Sequence, residues 1–254
     1  MAARATIELT GGAVEYERSP GTSPVLVFLH EGLGSIGLWR GVPGEVAAAA
    51  GGAATLVYSR HGHGASARAA MPRPVGYMHH EADVVLPELL DALGIDAPVL
   101  VGHSDGASIA LLYAGAGHRV AGLVCIAPHV FVEPESVAGI EAAKVAFDTT
   151  DLRERMARHH DDPDHVFTGW NDVWRSAAFR AWNIEDRLGA ISAPVLAVQG
   201  ADDQYGTLAQ LDAIAAGVGG RCERLVLDAV GHAPHLEARP AVVAAIAAFV
   251  RRLG

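Results

Sequence analysis

Short apolar runs recur along this chain, and stretches with helical spacing separate them. Val25–Leu29 stops at His30, Ala54–Tyr58 at Ser59-Arg60, and Pro98–Val101 at Gly102. Leu123–Ile126, Val195–Val198 and Leu225–Leu227 follow the same design. Runs of this length, with little polar alternation, suit strands covered on both faces. Between them, Val84–Leu93 has helical periodicity and stops at Gly94. Ser108–Tyr113 extends an apolar helix towards Gly115 and Gly117, and Ala241–Val250 follows Pro240 as a C-terminal helix. Strand–helix alternation with crossovers of one hand predicts an α/β fold, a mostly parallel central sheet flanked by helices. Thr6–Leu9 and Val14–Glu17, on either side of Gly11-Gly12, read as an edge hairpin.

One segment breaks the alternation. From about Phe131 to Ala190 no strand is evident, and helical patterns cover Ile140–Phe147, Asp151–His160, Asp164–Trp174 and Ala177–Ile184. Residues 131–190 are therefore expected to form a helical cap, inserted into a core made of residues 1–130 and 191–254. Trp170, Trp174 and Trp182, three of the 4 tryptophans, fall in this insertion. A small helical layer needs aromatic residues for its own core, and the same rings are candidates to line a substrate pocket.

The 254-residue length suits one large α/β domain or one domain with an insertion. A net charge of −10 argues against a nucleic-acid-binding surface. No apolar run is long enough to span a membrane, and residues Met1–Glu8 lack the apolar core of a signal peptide. Cys125 and Cys222 lie far apart in apolar runs, which reads as two reduced core thiols in a cytoplasmic protein.

The chemistry sits after the strand Pro98–Val101. Gly102-His103-Ser104-Asp105-Gly106 joins that strand to an apolar helix. A serine between glycines on a tight strand-to-helix turn is lifted to the carboxyl end of the sheet, and it reads as a nucleophile. A serine hydroxyl needs a base, and the base needs an orienting acid. The strand Val195–Val198 runs into Gln199-Gly200-Ala201-Asp202-Asp203, and the last strand into Ala229-Val230-Gly231-His232. The chain order is then Ser, Asp, His.

With these motifs the sequence resembles the α/β-hydrolase superfamily over nearly its whole length. Leu29-His30-Glu31-Gly32-Leu33-Gly34-Ser35 is similar to its oxyanion loop, and Ser59-Arg60-His61-Gly62-His63-Gly64-Ala65-Ser66 to its Arg-Gly-x-Gly-x-Ser loop. Gly200-x-x-Asp203 and Gly231-His232-x-x-His235-Leu236-Glu237 resemble its acid and histidine motifs. Among its members, small capped esterases and aromatic-pathway hydrolases carry the most similar elbow, whereas a dehalogenase or epoxide hydrolase would have Asp at position 104.

The resemblance implies a cofactor-free, metal-free serine hydrolase acting on a small-molecule ester through an acyl-enzyme. Ser104 is the nucleophile, His232 the base and Asp203 the acid, in preference to His235 and Asp202. The backbone N–H groups of Gly32 and Asp105 form the oxyanion hole. Thioesters, lactones and vinylogous C–C bonds fit the same machinery. The rival class is a ligand-binding member of the fold without catalysis, against which the intact Ser, Asp and His argue. Glu31 stands where the family has glycine, and it is expected to turn away from the oxyanion, towards Arg60. The Asp105 side chain either settles at the helix start or recognises a cationic substrate group. His30 braces the oxyanion loop. Neither His79-His80-Glu81 nor His159-His160 with His165 makes a convincing metal-ligand set.

Overall fold

The computed structural model describes residues 3–253; Met1, Ala2 and Gly254, the outer ends of the expected core segments and of the N-terminal stretch, lie outside the described residues. An antiparallel hairpin, β1 (Ala3–Leu9) and β2 (Gly12–Ser19), opens the chain at the sheet edge. β3 (Thr22–Leu29), α1 (Val42–Ala49) and β4 (Ala53–Tyr58) follow. α2 (Tyr77–His80) then continues through a π-helical turn at Glu81–Val85 into α3 (Leu86–Ala92). β5 (Val99–His103), α4 (Asp105–Gly115) and β6 (Gly122–Ile126) form the centre. α5 (Pro134–Thr149), α6 (Leu152–Met156), α7 (Pro163–Arg175) and α8 (Glu185–Leu188) come before the sheet resumes. It ends with β7 (Val195–Gly200), α9 (Ala209–Gly217), β8 (Cys222–Leu227), α10 (Pro234–Glu237) and α11 (Arg239–Arg251).

The eight strands lie in the order β1-β2-β4-β3-β5-β6-β7-β8. From β4 to β8 all pairings are parallel, so these strands bring their carboxyl ends to one edge. Along β3 and β5 the side chains alternate between two cores, as the period of a strand requires. Val27, Leu29 and Leu100 join Ile109 of α4 on one face. Leu26, Phe28, Val99 and Val101 meet Val42 and Val46 of α1 and Phe249 of α11 on the other. The continuous apolar runs thus reflect burial on both faces. β8 is the exception: as an edge strand it alternates between half-buried and exposed, and Cys222 is only half-buried.

Several expected helices differ. The helix placed at Val84–Leu93 begins earlier, at Tyr77, because Tyr77, Met78 and Ala82 also face the core. Only Leu152–Met156 of the expected Asp151–His160 is α-helical, since one buried residue, Met156, anchors that turn. Ala177–Ile184 is not an α-helix. A single 3-10 turn at Phe179–Ala181 gives way to extended backbone at Trp182, and Asn183 pairs with Phe131 in an isolated bridge. The Asn183 side chain accepts from the Glu185 N–H at 2.8 Å, a local turn that precedes α8 instead of continuing a helix.

Candidate active site

β5 ends at His103 and α4 begins at Asp105, so Ser104 alone turns the chain. Its φ of 52° and ψ of −118° are costly for an L residue, on the order of 1–3 kcal/mol. Its surroundings impose the conformation: the Ser104 N–H donates to the Ile126 carbonyl at 2.8 Å, and its own carbonyl accepts from Ala107 at 2.9 Å. A Cβ on Gly102 would lie 2.3 Å from the Gly106 carbonyl oxygen, and one on Gly106 would lie 2.0 Å from that of Leu29. Strand, turn and helix therefore touch backbone to backbone, and only glycine fits at both places.

Asp203 lies in the loop after β7, and its carboxylate meets the ring of His232, which follows β8. His232 Nδ1 is 2.8 Å from Oδ1 and 2.9 Å from Oδ2 of Asp203. The Tyr205 N–H donates to Oδ1 at 2.8 Å, and the Gln199 amide donates to Oδ2 at 3.4 Å. Burial alone would raise the Asp203 carboxyl, but the hydrogen bond and charge of His232 outweigh it and hold the group below its ordinary value. Asp202 is exposed, and its backbone N–H donates to the Val230 carbonyl at 3.0 Å.

The loop carrying His232 is fixed from two sides. Glu237 accepts from the N–H groups of Gly231 at 2.8 Å and Ala233 at 3.0 Å, and His103 Nε2 donates to the His232 carbonyl at 2.7 Å. A carbonyl partner sets the protonated nitrogen of His103. His235 instead packs between Trp39 and His103. Burial pushes its ring pKa down to about 3.

The loop after β3 is built on backbone contacts. Arg60 N–H donates to His30 Nε2 at 3.0 Å, leaving His30 Nδ1 to donate to the Glu31 carbonyl at 2.7 Å. His30 thus braces the loop. Gly32 is buried beneath Trp170, where a Cβ would lie 2.2 Å from the indole ring. The expected contact between Glu31 and Arg60 is different in kind. The Arg60 guanidinium donates to the Glu31 carbonyl at 2.9 Å and pairs with Asp105 at 3.6 Å, whereas the Glu31 carboxylate accepts from the N–H of Leu33.

His160, from the segment between α6 and α7, clamps the helical layer to this loop. Its Nε2 donates to the Leu33 carbonyl at 2.9 Å, and its Nδ1 accepts from the Gly64 N–H at 3.0 Å. Burial holds its pKa below the ordinary value. Its neutral form therefore stabilises the fold fully above about pH 6.5, and that contribution is lost as pH falls towards the lower folded value. The loss amounts to about 1.4 kcal/mol per pH unit for this proton. His160→Gln keeps one donor and one acceptor but does not titrate. Melting temperatures measured between pH 7 and 5 are expected to fall less steeply in the variant.

Asp105 does not offer its carboxylate to a ligand. It is fully buried, pairs with Arg60 and accepts from the Tyr77 hydroxyl at 2.6 Å, and Tyr77 in turn accepts from Trp174 Nε1 at 2.9 Å. The expectation that this carboxylate receives a substrate cation is corrected accordingly: it is spent on tying α4 to the loop after β4 and to the helical layer. Trp182 is corrected as well. It stacks on Phe179 at 5.4 Å with a 10° interplanar angle, inside the helical layer and away from the cavity.

Ser104, His232, Trp170 and Trp174 all border one cavity of about 290 Å³ at the carboxyl edge of the sheet, with Gly32 and Glu31 on its rim. Two further lining residues, His129 and Tyr205, carried no motif in the sequence. Tyr205 lies two residues past Asp203, and its ring sits 4.7 Å from that of His232. His129 donates from Nε2 to the Tyr205 carbonyl at 3.0 Å. Among the described residues, no cluster of three His, Cys, Asp or Glu is arranged to hold a metal ion.

The alpha/beta hydrolase fold family matches residues 24–164. A putative carbamate hydrolase, RutD of Variovorax paradoxus (strain S110), is 30% identical over 207 residues, which is 70% of this chain and 73% of that protein. Among solved structures, Est816, described as an N-acyl homoserine lactone degrading enzyme, is 28% identical with a TM-score of 0.72, covering 95% of this chain and 98% of its own. The enol-lactonase from Burkholderia xenovorans LB400 has a TM-score of 0.73 at 20% identity, covering 97% and 99%, a likeness of fold. With the sheet order and the parallel strands that carry the cavity, these matches place the chain in the alpha/beta hydrolase fold family.

Proposed function

We propose that this protein is a serine hydrolase that cleaves a small carboxylic ester, with the helical layer acting as its cap. The observation that carries the reading is the Asp203–His232 contact at 2.8 Å, opening on the same cavity as the strained Ser104. With Nδ1–H facing a carboxylate, His232 keeps Nε2 as a lone-pair base. Nε2 takes the Ser104 hydroxyl proton as Oγ attacks the ester carbonyl, and Asp203 stabilises the imidazolium. Backbone N–H groups of Gly32 and Asp105 receive the oxyanion, and the imidazolium returns its proton to the departing alcohol. Water, deprotonated by His232, then releases the acid and restores Ser104. Each oxyanion donor of this kind typically contributes about 10²–10³ in turnover.

Lactones belong in the same reading, because a lactone is a cyclic ester and the 28%-identical relative is described as degrading one. Two free thiols, with Cys125 buried, support a reducing, cytoplasmic setting. Among the described residues, no helix is long and apolar enough to cross a membrane.

The test is a screen of esters, thioesters, lactones and carbamates against the purified protein, with Ser104→Ala as blank. Turnover of esters or lactones supports the reading, and none in any class overturns it. The same screen separates the tryptophans. Trp170→Leu is expected to change the kcat/KM ratio of long to short acyl groups by about tenfold. Trp182→Leu is expected to leave that ratio in place, since its ring packs within the helical layer. Equal ratios in both variants would remove Trp170 from the acyl pocket.

A further inference from the structure

The proposed reaction leaves Glu31 without a task, although Glu31 lines the cavity beside Gly32. Among the described residues, the Leu33 N–H is the one hydrogen-bond donor to that carboxylate, and no ion pair reaches it. The Arg60 guanidinium serves Asp105 and the Glu31 carbonyl oxygen instead. Withdrawal from water pushes the Glu31 carboxyl above its ordinary value. Its charge is felt across the cavity: together with the larger effect of burial, it pushes the Tyr205 hydroxyl up to about 12.

Two aromatic rings line the same cavity. Trp170 covers Gly32, and Tyr205 lies 6.5 Å from Trp170 and 4.7 Å from His232, centroid to centroid. A carboxylate without a counter-ion is costly in such a place. It also opposes the negative charge that would develop next to it at the oxyanion donors. A cation on the substrate cancels both penalties, and Trp and Tyr faces attract cations.

We propose that Glu31, with Trp170 and Tyr205, binds an ammonium group on the substrate, so that the preferred substrates are esters carrying a positive charge a few bonds from the scissile carbonyl. This rests on the hydrolase reading for its substrate class, but cation binding can be measured without turnover. Because the bound cation also offsets a charge that opposes the oxyanion, the preference should appear in kcat as well as in KM.

The experiment uses two p-nitrophenyl esters of one shape, those of 4-(trimethylammonio)butanoate and 5,5-dimethylhexanoate. The parent protein is expected to favour the cationic ester by about tenfold to a hundredfold in kcat/KM. Glu31→Gln keeps an acceptor for the Leu33 N–H and should bring the ratio near one. Glu31→Asp keeps the charge and should retain part of the preference. Equal kcat/KM for the two esters in the parent, or an unchanged ratio in Glu31→Gln, overturns the proposal. Tetramethylammonium titrated at constant ionic strength, followed by tryptophan fluorescence, tests the site even if neither ester turns over. Saturable quenching in the parent that is lost in Glu31→Gln supports the site, and no saturable quenching overturns it. Absent turnover beside intact cation binding would count against the hydrolase reading alone.

Discussion

Ser104→Ala is expected to abolish covalent labelling by a fluorophosphonate and to lower ester turnover by about four to six orders of magnitude. In the proposed reaction this hydroxyl forms the acyl bond, and among the described residues Ser104 alone stands at the turn between β5 and α4. His232 and Ser104 come from different strand ends, so removing the hydroxyl leaves the His232–Asp203 contact and the proposed backbone donors in place. Residual activity is then what binding and oxyanion stabilisation alone provide. The fold should persist, because Ala meets the same φ of 52° that Ser104 already tolerates, and the turn is held by backbone hydrogen bonds to Ile126 and Ala107. A circular dichroism melt within a few degrees of the parent separates lost chemistry from lost structure. Stoichiometric labelling of the variant would show that another residue is the nucleophile.

Ser104 was legible in the sequence because the constraint on it is local. Gly102 and Gly106 are needed where backbones touch, and a five-residue pattern records that need. Asp203 and His232 were legible for a related reason: both follow apolar runs that end at the carboxyl edge of a parallel sheet, where strand and loop are contiguous in the chain. Asp105 was not legible in the same way. Its N–H belongs to the turn, but its carboxylate is claimed by Arg60 from the loop after β4 and by Tyr77 from α2, residues that no spacing rule connects to it. Trp182 illustrates the same limit. Aromatic residues are enriched between residues 131 and 190, where α5 to α8 lie, yet whether a ring faces inward or towards the cavity depends on where the backbone stops being helical. At Ala177–Ile184 that was decided by Asn183 and the Phe131 bridge, which outweigh helical spacing. Tyr205 and Glu31 acquire meaning only once the cavity brings them together.

The adjacent acids Asp202 and Asp203 allow the sharpest test of how His232, the proposed base, is held. Asp203→Asn preserves size and most packing, but it puts an N–H2 group where an oxygen stood. One carboxylate oxygen faces the Tyr205 N–H and the other faces the Gln199 amide, while His232 Nδ1 touches both. Whichever way the new amide turns, one donor confronts another donor. Turning its N–H2 towards His232 also favours the tautomer with the proton on Nε2, which cannot accept the Ser104 proton. A loss of about 10⁴ in kcat is expected, with KM changing little. Among the described residues, the carboxylate that meets the His232 ring is that of Asp203, so Asp202→Asn should stay within a few-fold of the parent. The pH dependence adds a second readout. The Asp203 carboxyl is held below its ordinary value in the fold, so it adds stability above the unfolded value near pH 4 and loses it as pH falls through the folded one. Asp203→Asn should therefore flatten the acid limb of the melting curve as well as silence turnover. If Asp202→Asn proved the more damaging of the two in kcat, the carboxylate that touches His232 would not be the one that orients it during the reaction.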